Sequence, residues 1–291
     1  MGACDALKTA LLAAATTCFV QTTAFGQGAA PPDREAYTLF NPTPRALWRP
    51  LSADRPDITE SPQTVDAGAV QLETSFFEYA HDSINDDAAT SNSLSLALST
   101  LKLGLTHDMD LQFVFAPFVR AETRADTTGV TDVQDGPSDL TVRLKWNLWG
   151  NDEGKTALGL LPFVKIPTGS SVSNDRVEGG VAVPFSWDIR EGLSLGLMGE
   201  LDILFDESSG KHDLAFLHTV VVGADVYGPI GAYVEYAGRV HFDGDRDYEA
   251  VASVGLTYQI NENAVLDAGT FIGLTRPTDD VVVFSGITLR F

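Results

Sequence analysis

From Val70 to the C-terminus, apolar and polar residues alternate with a period of two. The cleanest case places Leu140, Val142, Leu144, Trp146 and Leu148 on one face and Thr141, Arg143, Lys145 and Asn147 on the other. A helix would scatter those apolar groups around its circumference, whereas a strand sorts them onto one side. Arginine and lysine facing a sealed core are costly. In a barrel they face water in the lumen. The alternation predicts twelve strands, at 70–79, 94–105, 109–120, 139–148, 156–167, 179–188, 193–205, 216–226, 230–242, 248–260, 264–273 and 281–291. Each is close to the roughly 9–11 residues that a tilted strand needs to cross a bilayer. In the second, Leu94, Leu96 and Leu98 change phase to Leu101, Leu103 and Leu105, which predicts a bulge near Ser99-Thr100.

The connections carry as much information as the strands. Those after even-numbered strands are short, such as His107-Asp108, Tyr227-Gly228-Pro229 and Asn261-Glu262-Asn263. Those after odd-numbered strands, such as 81–93 and 121–138, are mostly longer and acidic. Short periplasmic turns and longer external loops are the asymmetry of an outer-membrane barrel. The expected fold is therefore all-β: a transmembrane antiparallel barrel of about twelve strands in a Gram-negative-type outer membrane. The last strand puts Val281, Val283, Ile287, Leu289 and the terminal Phe291 on one face. An aromatic C-terminus on such a strand resembles the signal read by barrel-assembly machinery, which makes that machinery an expected partner through Phe291. Aromatic residues near strand ends (Tyr79, Trp146, Trp149, Trp187, Phe205, Tyr227, Phe242, Tyr248) fit interface girdles against outer-membrane lipids and lipopolysaccharide.

The N-terminal segment reads differently. Lys8 precedes an Ala/Leu/Thr-rich run from 9 to 20, followed by Ala24-Phe25-Gly26, so residues 1–26 read as a cleaved signal peptide. Both cysteines, Cys4 and Cys18, lie in that segment, which leaves the mature chain without thiols. Residues 27–69 are broken by Pro31, Pro32, Pro42, Pro44, Pro50, Pro56 and Pro62 and read as an irregular arm, periplasmic or plugging the lumen. The barrel takes residues 70–291. Overall hydrophobic content is 44% with a mean hydropathy of only +0.02. That balance excludes a bundle of membrane helices and leaves room for a barrel, whose lipid and lumen faces average out. A net charge of −21 makes nucleic acid an improbable partner.

The arm carries a motif. Asp54-Arg55-Pro56-Asp57-Ile58-Thr59-Glu60-Ser61-Pro62, followed by Gly68, Gln71 and Glu73, resembles the signature of the outer-membrane transporter-like family filed as "putative MetA-pathway of phenol degradation". The resemblance implies a barrel running to the C-terminus and transport of small, aromatic or otherwise hydrophobic compounds. Asp54, Arg55, Asp57 and Glu60 then form either a plug or selectivity element, or an ion-paired anchor that seats the arm.

Strand phase nominates Glu73, Arg143, Lys145, Lys165, Glu200, Asp202, Asp225, Glu235, Arg239, His241, Asp267 and Arg290 as lumen-facing. Both signs are present, consistent either with a hydrated pore lining or with internal ion pairs holding a mostly closed barrel. Asp243, Asp245 and Asp247 invite a calcium loop, but Tyr248 and Val254 stand where an EF-hand needs glycine and glutamate, so no metal is assigned. His218 lies on the apolar face of its strand with Ser208 and Ser209 in the preceding loop, a spacing that fixes no catalytic geometry. The expected function is passive diffusion of small solutes through the barrel, with no cofactor and no catalytic residue. The rival readings are a structural or adhesive barrel without an open pore, and an outer-membrane enzyme acting on lipid.

Overall fold

A computed structural model describes residues 33–83, 89–206, 209–242 and 247–291. The signal-peptide reading, Ser208, Asp243 and Asp245 lie outside the described residues. Twelve strands cross in turn. They are β1 (Val70–Asp82), β2 (Ala89–Leu96 continuing as Ser99–Gly104), β3 (Met109–Phe115 continuing as Phe118–Ala125) and β4 (Thr131–Gly136 continuing as Leu140–Trp149). There follow β5 (Thr156–Ile166), β6 (Glu178–Arg190), β7 (Leu193–Asp206), β8 (Lys211–Tyr227), β9 (Ile230–His241), β10 (Glu249–Asn261), β11 (Ala264–Gly273) and β12 (Val281–Arg290). Every neighbour is antiparallel, and β12 pairs back onto β1 from Gln71↔Arg290 to His81↔Val281, which closes the barrel. Closure leaves no open ladder edge in the bilayer, which is what an all-β membrane protein requires.

The predicted slip in β2 is real and lies slightly earlier, at Ala97-Leu98, where Ala97 takes a left-handed φ of 52°. Similar breaks at Ala116-Pro117 and around Pro137 interrupt β3 and β4. Two expected loops are shorter than the sequence suggested. Residues 89–93 and most of 121–138 are strand, pairing as Ser93↔Ala121 and Arg120↔Asp135 beyond the apolar belt. There both faces are wet, so no alternation marks them.

Alternation along the strands splits the two faces. Leu197, Leu201 and Ile203 on β7, Val234 on β9 and Leu256 on β10 are exposed outward and form an apolar belt. Outward Trp146, Trp149, Trp187, Tyr227 and Phe291 lie at the short-turn end and Tyr79, Phe242 and Tyr248 at the other, with half-buried Phe205 beside them, the spacing that two membrane interfaces demand. Outward, too, is His218, beside Phe216, Tyr236 and Tyr248. The interior is the reverse: Gln71, Glu73, Lys102, Asp110, Gln112, Lys145 and Asp202 are among the most buried side chains. Not all of it is polar. Leu161, Ala182, Met198, Leu217 and Ala237 form an apolar patch on the inner wall of β5–β9, packed against Ile58 and Val251.

Candidate functional site

Residues 33–69 have almost no regular structure, because proline denies them ladder donors. Their polar groups are satisfied by the barrel instead. The first part lies under the short-turn end, with Leu39 donating its amide to the Leu105 carbonyl and Arg34 reaching Asp152 at 2.7 Å. Arg49 then pairs with Asp66 and Asp152. Burial raises the Asp152 carboxyl, but the Arg49 hydrogen bond and the Arg49 and Arg34 charges outweigh it and hold the group below its usual range.

The D-R-P-D-x-T-E-S-P segment crosses the interior. Asp54 receives Lys102 from β2 and Lys145 from β4, and Glu73 of β1 accepts the backbone amides of Asp54 and Arg55. Arg55 turns the other way, to Asp267 on β11 at 2.8 Å and Ser75 on β1. The chain then reaches the far wall, where Glu235 of β9 accepts the amides of Ile58 and Thr59 and the Thr59 hydroxyl. It returns to β4, where Glu60 meets Arg143 and Asn147 donates to the Pro62 carbonyl. The Val65 amide donates to Asp110 on β3. Anchors on β1, β2, β3, β4, β9 and β11 place this loop across the lumen.

Burial favours the neutral form of Asp54, yet the two lysine charges override it and keep this carboxyl well below the usual range. Glu60 goes the opposite way: burial and the Asp54 charge push it up to about 7 against the pull of Arg143 and Lys145. Glycines admit the arm. A Cβ on Gly159 would meet Pro62 at 3.1 Å, and one on Gly286 would meet Arg55 at 2.6 Å. On Gly104 it would sit 2.0 Å from the Asp66 carbonyl oxygen. Gly104→Ala is therefore expected to lift residues 65–66 and to lower stability by about 1–3 kcal/mol, read as an earlier urea midpoint for loss of the heat-modifiable gel band.

The phase-assigned residues separate into three groups. Glu73, Lys145, Glu235, Asp267 and Arg143 hold the arm, as described, and Arg290 donates to the Arg49 carbonyl. Lys165 pairs instead with Asp139 and Glu178 near the outer rim. There too, Arg239 reaches Glu249, and His241 contacts the same carboxylate at 2.9 Å. The Asp202 carboxylate is buried, with Arg239 3.7 Å away. Glu200 is half-buried on the same strand, and Asp225 opens onto the short-turn mouth. Lys102, Asp110, Asp66 and Arg49 were not singled out from sequence. Lys102 follows the bulge, and only the later phase of β2 turns it inward.

Two cavities flank the loop. One of about 700 Å³ opens at the short-turn end between the arm at 55–57 and the inner wall of β6–β10. Another of about 320 Å³ lies against Ile58, Val251 and Phe271 toward the long-loop end.

Comparison with known families fixes the relationship. The family described as "Putative MetA-pathway of phenol degradation" matches residues 53–291, from the D-R-P-D segment to the last residue. The chain belongs to that family. Its fold is that of outer-membrane barrels. The crystal structure of the COG4313 outer membrane channel from Pseudomonas putida F1 superposes with a TM-score of 0.64 at 15% identity, covering 82% of this chain and 100% of that one. The transport unit of the autotransporter AIDA-I from Escherichia coli gives 0.49 at 10% identity, with 83% and 92% covered. The NanC porin gives 0.48 at 9%, with 76% and 98% covered. Curated proteins return no match.

Proposed function

We propose that this family member is an outer-membrane channel that passes small solutes, aromatic and hydrophobic ones among them, by passive diffusion. The observation that carries the reading is the arm lying across an otherwise open twelve-stranded lumen, with free volume on both sides of it. A barrel of this size falls between small filled ones and wide porins, so an inserted loop sets the bore. Ile58, Val251 and Phe271 line the smaller cavity and give hydrophobic solutes an apolar surface within a polar passage. Export, insertion in the outer membrane and assembly through Phe291 belong to the same proposal, as does the absence of catalysis.

Single-channel recording of the refolded mature chain in a planar bilayer tests it. Discrete conductance steps interrupted by small aromatics such as phenol or benzoate are expected. Silence from a demonstrably folded barrel would sink the channel reading in favour of a closed structural barrel.

A further inference from the structure

The arm's motif contains four charged residues, and three of them are held by the barrel: Asp54 by Lys102 and Lys145, Arg55 by Asp267, and Glu60 by Arg143. Asp57 is the exception. Among the described residues no ion pair and no hydrogen bond from another side chain reaches its carboxylate, and it lines the cavity of about 700 Å³ at the short-turn mouth. Its own backbone amide is the one donor that meets it, and a partly buried carboxylate so poorly matched gains from any added positive charge or hydrogen-bond donor. Its neighbours deepen the deficit. Glu235 lies close by, its charge met by backbone amides and a hydroxyl and, among the described residues, by no cation, and Arg55 is committed to Asp267. Burial and the Glu235 charge together raise the Asp57 carboxyl above its ordinary range, a penalty on its charged form that a cation beside it would relieve.

We propose that this cavity is a subsite for a small organic cation, recognised by Asp57. The proposal rests on the channel reading and names a class of solute for it. Around Asp57 the walls are Pro56, Tyr233 and Val221, apolar surface suited to the body of an amphipathic molecule. The Tyr233 hydroxyl is already bonded to Ser253 and does not compete. At the rim Asp188, Glu191 and Asp225 outnumber Lys155 and Arg190, which draws cations toward the mouth. The volume lies in the range of small-molecule pockets. A bare divalent metal fits less well, since it requires six or more oxygens and no group of three candidate ligands stands together among the described residues.

Isothermal titration of the refolded mature chain in detergent tests this with benzylammonium, benzyl alcohol and benzoate, which share a ring and differ in charge. Benzylammonium is expected to bind at least tenfold more tightly than the other two. Asp57→Asn should erase the difference and Asp57→Glu should keep it. Ser194→Trp, which fills the cavity from β7, gives the same loss of binding by steric exclusion should Asp57→Asn fail to fold. Equal binding of the three probes, or a preference that survives Asp57→Asn, overturns the subsite. Ammonium preference in a barrel that does not conduct would keep the subsite and remove the channel. Conductance without preference would do the reverse.

Discussion

Asp54→Asn is expected to unseat the arm. Lys102 and Lys145 are almost wholly buried, with side-chain exposures of 2% and 1%, and both donate to Asp54. With asparagine in place, Lys102 retains its pair with Glu73, while Lys145 keeps a longer contact with Glu60 at 3.8 Å. Removing one partner from a buried pair costs about 3–5 kcal/mol, because the remaining charge has lost its water without compensation. The loss is expected as a lower urea midpoint for the folded band, accompanied by new proteolysis between 50 and 62. Glu122→Gln serves as the contrast. Its pair with Arg120 is exposed on both sides, so a change within about 0.5 kcal/mol is expected. Equal effects from the two substitutions would show that the Asp54 cluster does not hold the arm.

The second large effect is expected on removal of the arm. A chain lacking residues 33–62 loses the loop anchored on β1, β2, β4, β9 and β11, so conductance should rise on the order of several-fold for a lumen of this strand number. The same deletion strips Ile58 from Leu161, Met198 and Leu217 and exposes that patch to water. Lys102, Lys145, Glu73 and Glu235 would be left to solvent, so the shortened barrel should also unfold at lower denaturant. Single-channel recording beside a urea series reads both. Unchanged conductance would mean that the arm is not the constriction.

Much of this was legible in the chain itself. Alternation over 140–148 specified which face of β4 is wet, and the structure puts Arg143 and Lys145 there, against the arm. The strand count followed from the same signal, since a bilayer forces one face of each strand to be apolar. Legibility failed where that constraint lapses. Beyond the membrane, 131–136 is strand with both faces exposed, so its pattern carries no period. On β5 and β6 the inner face holds Ala157, Leu161 and Ala182, so both faces read as apolar and the inner patch was invisible.

Local physics, then, was determined by sequence: period-two alternation fixes a strand's two faces, proline excludes the arm from the sheet, and glycine permits close backbone approach. Only the tertiary structure decided which charges meet. Arg55 and Asp267 lie 212 residues apart, and Ile58 and Glu235 177 apart. Closure of β12 onto β1 brings such partners to opposite walls of one lumen, a long-range outcome that no local pattern encodes. That closure also matched three of the motif's four charges and left Asp57 facing open space.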